Sequence, residues 1–496
     1  MLSFIISIAV LVLGYFFYGR VVERIIGPDD RITPAVAKND GVDFMVLPNW
    51  KIFMIQFLNI AGTGPIFGAI MGAKFGPSSY LWIVFGCVFA GAVHDYLSGM
   101  LSMRNDGAGL PELIGKYLGK TTRTLMLVFA TLLLVIVGAV FVYSPAQILH
   151  GLWGSELMWI IIIFAYYLIA TMMPIDKIIG RIYPLFAVSL LFMAAALMVV
   201  LIIKMPDLPE LWDGVDNLGA TLYPSSFTDT IFPSLFITVA CGAISGFHAT
   251  QSPLMARCLK SEKMGRPIFY GAMITEGVVA LIWAAVGSYF FYAEPTPGYN
   301  VLAGAQETGF MTSAPSVVNI VCKDWLGVVG GILALLGVVA APITSGDTAL
   351  RSARLIIADF FHIKQKSISK RLMISIPLFA VSLLILLWQI GNPDGFNVIW
   401  QYFGWSNQTL SVFTLWMLTV FLAKSKKPFI ITLIPAVFMT TVCVTFIVAS
   451  KQAFGLSGQW VYISAAAVVL VSLTWFTLWY RKDQKEIKED FNESHK

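Results

Sequence analysis

The stretch ACGAISGFHATQSP, residues Ala240–Pro253, lies within a long apolar segment but makes a poor membrane helix. It contains Gly242, Gly246 and Pro253, which weaken helices, together with a histidine, several hydroxyl groups and an amide. The hydrocarbon core of a bilayer offers no hydrogen-bond partner to an interrupted backbone or a buried imidazole. An interruption of this kind therefore indicates a polar environment inside the protein.

Composition places the whole chain in a membrane. Of its 496 residues, 57% are hydrophobic and 12% are charged, and the mean hydropathy is +0.78. The apolar residues occur in runs of about 20, the length that an α-helix needs to cross the hydrocarbon core. A soluble protein with this much apolar surface would aggregate. The sequence thus predicts an all-α polytopic membrane protein.

Thirteen segments have the length and apolarity of a membrane span. They are Leu2–Tyr18, Lys51–Gly72, Tyr80–Met103, Leu125–Tyr143, Leu157–Met173, Tyr183–Ile203, Ile231–Gln251, Ile268–Tyr292, Trp325–Thr344, Leu372–Ile390, Val398–Leu422, Phe429–Ser450 and Trp460–Tyr480. Of the 33 Lys and Arg residues, 29 follow odd-numbered spans and 4 follow even-numbered spans, when Lys51 is counted with the loop before it. Because cytoplasmic loops collect Lys and Arg, this alternation predicts an external N-terminus and a cytoplasmic C-terminus.

A second interrupted segment is similar to the first. Span 2 reads KIFMIQFLNIAGTGPIFGAIMG, with Gly62, Gly64 and Pro65 near its middle. In span 2 and in span 7 the break begins about eleven residues after the start, and the two spans run in opposite directions. Two broken helices of opposite direction, each opening a run of five spans, predict a five-plus-five inverted repeat.

The predicted organisation follows from this repeat. It comprises a first span and cytoplasmic loop (residues 1–50), a first repeat (51–203), an extracellular loop (204–230), a second repeat (231–422), two additional spans (423–480) and a charged cytoplasmic tail (481–496). We expect the tail to be disordered because it is strongly charged and poor in apolar residues.

The two breaks predict the binding site. In an inverted-repeat transporter, irregular backbone lines a polar cavity, where freed N–H groups suit an anion and freed carbonyl groups suit a cation. The predicted substrate-binding residues are Gly62, Thr63, Gly64, Ser245, His248, Thr250, Gln251, Asn407 and Gln408. The alternative is close helix packing, which also recruits glycine and in which polar side chains only join helices.

Several motifs resemble the carbon starvation protein A family of bacterial membrane proteins. They are the run DTIFPSLFITVACGAISGFHATQSPLMARC around the second break, MPIDKIIGRIYP (Met173–Pro184), the long run between Phe67 and Gly107, FGWSNQ (Phe403–Gln408) and SGDTALRSAR (Ser345–Arg354). The resemblance implies secondary transport of small nutrients, peptides or pyruvate, across the bacterial plasma membrane. It also implies kinship to the superfamily of amino-acid, polyamine and organocation transporters, whose inverted repeat agrees with the one predicted above.

Two carboxylates lie deep in predicted spans. Asp95 is nine residues before Arg104, and Glu276 is ten residues after Arg266. At 1.5 Å per residue, both lie about 13–15 Å from the cytoplasmic end of a span, close to the midplane. A carboxylate at that depth is a functional candidate, and we predict that His94, Asp95 and Glu276 couple transport to protons. The alternative is a structural hydrogen bond to a neighbouring helix.

A metal site receives little support from the sequence. His248 has three candidate roles, which are accepting a proton, hydrogen-bonding the substrate and binding a metal. A site made of His94, Asp95 and His248 is conceivable, although nothing in the residue spacing requires it. The five cysteines show no zinc-ligand spacing, and we expect them to be packing residues. We expect no cofactor, only a coupling ion, H⁺ or Na⁺.

A sodium site is the alternative to proton coupling. Span 9 ends in APITSGD, in which Thr344 and Ser345 supply hydroxyl groups and Asp347 supplies a carboxylate. With carbonyl groups freed near Ala61 and Gly62, these oxygens would form the kind of shell that hard cations prefer. The competing interpretation is a helix end at which Asp347 pairs with a nearby arginine, four residues further on.

These observations favour a cation-coupled secondary transporter with protons as the coupling ion. We favour peptides as the substrate because the predicted site offers several polar partners, and pyruvate is the alternative. A channel would need a continuous selectivity filter, and an enzyme or membrane sensor would need a catalytic motif or an output domain. None of these features is evident in the sequence. No nucleic acid is expected as a partner, and the oligomeric state stays open.

Overall fold

The computed structural model describes residues 1–494 apart from 42, 174–178, 223–228, 293–312, 366, 393–394 and 452. The described residues form helices and loops, with no β-strand among them. The helices are α1 (Leu2–Phe16), α2 (Tyr18–Ile26), α3 (Asn49–Ile60), α4 (Gly64–Phe75), α5 (Ser78–Met103), α6 (Leu110–Leu118), α7 (Lys120–His150), α8 (Glu156–Met172), α9 (Ile179–Lys204), α10 (Ile231–Leu235 continued by Phe236–Thr238), α11 (Gly246–Ala256), α12 (Glu262–Tyr292), α13 (Ala314–Phe360), α14 (Ile368–Gly391), α15 (Gly395–Lys424), α16 (Ile430–Ala449) and α17 (Gln459–Ser494). Three short helices without a label, Pro34–Ala37, Leu211–Asp213 and Leu218–Leu222, lie in the connecting segments.

The chain is a multi-pass membrane protein. Within the described ranges, nine helices are long and apolar enough to cross a membrane, or ten if the bent pair α3–α4 is one span. Each of the nine lies on a predicted span. With the bent pair α3–α4 counted as a span, three predicted spans have no counterpart among the ten, because α8 is short, α10 and α11 are separate helices, and α15 does not meet the same criteria. The count of thirteen spans and the inverted repeat therefore stay predictions.

The first predicted interruption is present in the structure. Helix α3 ends at Ile60, α4 begins at Gly64, and the two axes differ by 54°. Pro65 lies in the first turn of α4, where its missing N–H removes no helical hydrogen bond. The bend thus follows from the local sequence, since glycine and proline cluster at the point where the first helix stops.

The second predicted interruption is also present, although one residue plays a different part. Residues 239–245 separate α10 from α11, and Gly242 has a φ of +90°, a conformation that L side chains rarely adopt. Gly246 opens α11. Pro253, which we expected to contribute to the interruption, lies inside α11 instead. The break therefore depends on the glycine at 242, and Pro253 is accommodated within a continuous helix.

The two breaks contact each other. A Cβ atom on Gly64 would overlap the Cβ and Sγ atoms of Cys241, and a Cβ atom on Gly68 would lie 2.8 Å from the carbonyl oxygen of Thr238. Glycine is required at these positions because any side chain would separate the two broken helices. Helix α4 therefore packs directly on the second interruption.

Burial separates a central group of helices from a peripheral one. In their most apolar windows, α5, α12 and α13 have 83%, 89% and 82% of their residues buried, whereas α1 with α2 has 28% and α17 has 17%. The peripheral helices are therefore the ones that suit contact with lipid, and the predicted coupling residues His94, Asp95 and Glu276 lie on the central helices α5 and α12. Helix α17 continues through the charged tail to Ser494, so the prediction of a disordered tail is wrong for those residues.

Candidate substrate and ion site

Asp95 is the centre of a fully buried polar cluster. Its Oδ1 atom lies 2.8 Å from Nδ1 of His94, its neighbour on α5, and its Oδ2 atom lies 2.8 Å from Nδ1 of His248 on α11. All three side chains have 0% exposure. Because an ionised carboxylate can only accept, both Nδ1 atoms donate to Asp95 in that state. The structure thus brings His248 against Asp95, from which the sequence separates it by 153 positions.

Glu276 extends this cluster from α12. Its Oε2 atom lies 3.5 Å from Nε2 of His248, and it is fully buried. Both Glu276 oxygens and Nε2 of His248 lack a well-formed hydrogen-bond partner among the described residues. Cys241, in the second break, joins the same group, because one ligand atom each from Cys241, His248 and Glu276 lie within 4.8 Å of one another.

The metal set considered from the sequence is therefore different from the one that the structure assembles. His94 is hydrogen-bonded to Asp95, and Asp95 is hydrogen-bonded to Nδ1 of the His248 ring. The atoms with metal-ligand spacing belong instead to Cys241, His248 and Glu276. Sequence spacing could not reveal this set, because its members come from a helix break and two different helices.

Asn407 on α15 closes the start of α11. Its Oδ1 atom accepts hydrogen bonds from the backbone N–H of Phe247 at 2.7 Å and from the hydroxyl of Ser245 at 3.0 Å. Its Nδ2 atom lies 3.7 Å from the sulfur of Cys241. The first N–H groups of a helix have no partner within the helix, and the Asn407 amide satisfies one of them. An internal side chain thus occupies part of the helix terminus at which we expected an anionic substrate group.

The other predicted amides and hydroxyls are used within the protein. Gln408 donates from Nε2 to the carbonyl of Phe236 at 2.9 Å, which ties α15 to α10. Thr250 donates to the carbonyl of Phe247 at 2.6 Å and accepts from Nε2 of Gln251 at 2.8 Å. The Oε1 atoms of Gln251 and Gln408 have no partner among the described residues. These residues are buried, and internal hydrogen bonds already use some of the polar atoms that we expected to contact a substrate.

Two residues beside the first break escaped the sequence analysis. Gln56 and Asn59 on α3 are fully buried, and all four of their side-chain polar atoms lack a partner in the described part of the chain. The hydroxyl of Thr63, a predicted substrate residue, is buried and unpartnered as well. Buried amides are costly without hydrogen bonds, so these groups indicate a place where water or a ligand supplies them. Two amides within five residues of Ala61 in an apolar span were the sequence feature that could have identified them.

The predicted sodium site is only partly assembled. The hydroxyl of Ser345 donates to the carbonyl groups of Leu58 and Asn59 at 3.1 and 3.0 Å, and it lies next to Gly62. The carbonyl groups that face Ser345 thus precede those expected at Ala61 and Gly62. The side-chain hydroxyl of Thr344 bonds to its own helix, at Ala340 and Ala341.

Asp347 does not join Ser345 at the first break. Tyr183 on α9 donates to its Oδ2 atom at 2.6 Å, and Thr171 on α8 donates to its Oδ1 atom at 3.3 Å. The alternative pairing with Arg351 is also not an ion pair within 4.0 Å, and Arg351 donates to the carbonyl of Ala170 instead. Asp347 therefore points from α13 towards α8 and α9, where two hydroxyl groups donate hydrogen bonds to its carboxylate.

Comparison with known families now identifies the chain. The family model described as Carbon starvation protein CstA matches residues 1–151, 144–294 and 303–446. The chain belongs to this family. The three matched ranges contain both breaks and every predicted site residue, so the cluster around Asp95 lies in the part of the chain that the family shares.

Relatives of this chain include named transporters. The peptide transporter CstA of Escherichia coli is 26% identical over 545 aligned positions, covering 85% of this chain and 76% of that protein. The pyruvate/proton symporter BtsT of the same organism is 28% identical, covering 60% of this chain and 51% of that protein. An uncharacterized membrane protein of Haemophilus influenzae is 47% identical, covering 59% of this chain and 91% of that protein. The relatives with named functions are thus transporters and symporters, not enzymes.

Solved structures of secondary transporters have a similar fold. A manganese transporter of Eremococcus coleocola aligns with a TM-score of 0.56 at 13% identity, covering 90% of this chain and 99% of that one. A Na⁺-coupled sialic acid symporter aligns with a TM-score of 0.53 at 15% identity, covering 93% and 96%. At these identities the likeness concerns the fold alone.

Proposed function

We propose that this protein is a secondary transporter that takes up small peptides across the bacterial plasma membrane by alternating access. The observation that carries the proposal is the contact between two broken helices at a buried centre that contains unpartnered polar groups. Interrupted helices are tolerated in a bilayer where they line a binding cavity. The family relatives named as transporters support the same conclusion.

The proposed architecture is the five-plus-five repeat with thirteen spans. The repeats would be residues 51–203 and 231–422, with residues 1–50, 423–480 and 481–496 outside them. The N-terminus would lie outside the cell and the tail in the cytoplasm, as the distribution of Lys and Arg indicates. Support comes from the two breaks, because each one opens a proposed repeat.

Peptides are the proposed substrates because the free polar groups are mostly uncharged. Gln56, Asn59 and Thr63 offer amide and hydroxyl groups near the first break, and Gln251 offers one amide oxygen on α11, which packs against α3. Backbone amides of a peptide present donors and acceptors in number, and each unpartnered group gains a hydrogen bond on binding. Pyruvate is the second candidate, supported by the symporter relative, but it has fewer groups to satisfy.

Uptake into liposomes tests the substrate. Purified protein is reconstituted, and entry of a labelled dipeptide is measured with unlabelled dipeptides, tripeptides or pyruvate as competitors. We expect saturable uptake and exchange of the dipeptide, with competition by peptides and little by pyruvate. Competition by pyruvate alone would refute peptide transport, and flux that rises without saturation would indicate a channel.

Protons are the proposed coupling ion, with sodium as the alternative. The proton is favoured by the proton symporter relative, and sodium by the Ser345 hydroxyl, which lies against the carbonyl groups of the first break. The assignment of the coupling proton to His94, Asp95 and Glu276 stays a prediction from the sequence. Uptake driven by an imposed pH gradient, measured once in sodium and once in choline at the same pH, decides between the ions. Undiminished uptake in choline supports protons.

A further inference from the structure

We propose that Cys241, His248 and Glu276 form a binding site for a divalent transition metal ion of the zinc type. The ligand atoms of these side chains lie within 4.8 Å of one another, and all three residues are buried. Thiolate, imidazole and carboxylate are the three side-chain groups that bind Zn²⁺ in proteins. This inference goes beyond transport and differs from the sequence expectation that the protein needs no cofactor.

His248 is oriented as a metal ligand would be. Its Nδ1 atom faces Asp95 at 2.8 Å, and Asp95 in turn receives Nδ1 of His94. A carboxylate behind the imidazole fixes the tautomer with the proton on Nδ1 and leaves the lone pair of Nε2 pointing away from Asp95. The second histidine holds the carboxylate in place. Metal-binding histidines in proteins commonly have this arrangement.

The lone pair of His248 faces another acceptor. Nε2 lies 3.5 Å from Oε2 of Glu276, and neither atom has a well-formed hydrogen-bond partner in the described part of the chain. When the imidazole is neutral and the carboxylate ionised, two lone pairs face each other in a buried site and repel unless a cation, either a proton or a metal ion, lies between them. Nitrogen and oxygen ligands each about 2.0–2.1 Å from a tetrahedral zinc ion are roughly 3.3–3.5 Å apart. The observed separation therefore already suits these two ligands.

Cys241 distinguishes a metal from a proton as the cation. A proton shared by His248 and Glu276 needs no third group, whereas a soft metal ion gains a thiolate ligand. The sulfur is held at the second break because Gly64 leaves room for it, and the Nδ2 donor of Asn407 is directed at it from 3.7 Å. The sulfur also contacts the hydroxyl of Ser245 at 3.5 Å. Three protein ligands leave a fourth position for water or another small ligand.

A metal ion at this site would replace the coupling proton predicted for Glu276. The metal site and the proposed transport of peptides are nevertheless separate, because the metal can be measured without any uptake assay. The experiment therefore uses the purified full-length protein and the metals themselves.

The test measures bound zinc and the spectrum of the cobalt complex. Zinc content is determined by mass spectrometry after saturation and removal of free metal, and Co²⁺ is titrated into protein first stripped of metal. We expect about one metal ion per chain, a sulfur-to-cobalt charge-transfer band, and a higher Tm with zinc. A saturated zinc content far below one ion per chain, or a cobalt complex without the sulfur band, would overturn the proposal.

Matched variants locate the site. Cys241→Ser should abolish the sulfur band, whereas Cys443→Ser, a change at another buried free cysteine, should leave it intact. Asp95→Asn should keep the band but weaken metal affinity about 10- to 100-fold, the usual effect of removing the group behind a histidine ligand.

If Cys241→Ser fails to fold, the band of the wild type and of Cys443→Ser still shows whether a cysteine other than Cys443 binds the cobalt ion. Loss of the band in Cys443→Ser with retention in Cys241→Ser would place the metal elsewhere and refute the assignment. Peptide uptake by protein that binds no metal would leave the proposed function intact.

Discussion

The two interrupted helices solve the same backbone problem in different ways. At the second break, side chains from other helices fill the gap, with Asn407 bonded to the start of α11 and Asp95 bonded to His248. At the first break the Ser345 hydroxyl donates to two freed carbonyl groups, and the nearby amides of Gln56 and Asn59 have no partner among the described residues. The start of α11 at the second break is thus capped from within the protein, whereas the amides beside the first break have no such partner in the described part of the chain.

The contact between the breaks gives the largest expected effect. Gly64→Val should abolish peptide uptake, because its side chain would overlap Cys241 and force the broken helices apart. Overpacking of this kind costs about 1–3 kcal/mol of stability even where the fold survives. Gly391→Val is the control, since no described residue beyond its chain neighbours and its own helix backbone has an atom within 4 Å of a Cβ there. Uptake and Tm are measured for both. Normal uptake by Gly64→Val would show that the breaks do not need this contact.

Asn407 variants test whether this side chain stabilises the start of α11 at the second break. Asn407→Ala removes the acceptor for the Phe247 N–H and the Ser245 hydroxyl, and we expect a loss of about 1–3 kcal/mol in the free energy of unfolding. Asn407→Asp retains an acceptor and should lose less. The comparison is made by thermal or denaturant unfolding in detergent. Equal stability of Asn407→Ala and the wild type would contradict the description of the second break.

Gln56 and Asn59 test the first break in the opposite direction. Replacing an unpartnered buried amide by leucine should leave Tm unchanged or raise it, because no internal hydrogen bond is lost. If these amides bind substrate, Gln56→Leu and Asn59→Leu should also raise KM several-fold. Gln389 on α14 is another buried amide with no partner among the described residues, and Gln389→Leu should change Tm alone. An unchanged KM in both α3 variants would remove these residues from the substrate site.

Ser345 gives the smallest expected effect. Ser345→Ala removes two hydrogen bonds to carbonyl groups that have no helical partner, and we expect a loss of about 0.5–1.5 kcal/mol. With proton coupling, uptake in choline should equal uptake in sodium for both the wild type and the variant. A sodium requirement that disappears in Ser345→Ala would instead establish a sodium site at the first break.

The sequence was sufficient to locate both breaks, because Gly62, Gly64 and Gly242 interrupt otherwise apolar segments. It also singled out Asp95, His248 and Glu276, because ionisable groups in apolar segments are conspicuous. The contacts among these three residues could not be predicted from the sequence.

Contacts between helices that are far apart in sequence explain where the structure differs from the sequence predictions. Cys241 looked like a packing residue because its neighbours in the site come from α11 and α12. Asp347 was placed in a cation site by its proximity in sequence to Ser345, but a hydroxyl from α9 holds it elsewhere. One-dimensional spacing records which residues share a helix, and it does not record which helices meet.

The Asn407 amide has a further consequence for how a substrate binds. By accepting the Phe247 N–H, it serves as an internal surrogate for a carboxylate at the start of α11. A substrate carboxylate that uses this terminus must displace the surrogate, so binding is an exchange of one acceptor for another. An exchange yields only the difference between two similar interactions, which keeps affinity moderate and lets the molecule leave again after it has crossed the membrane.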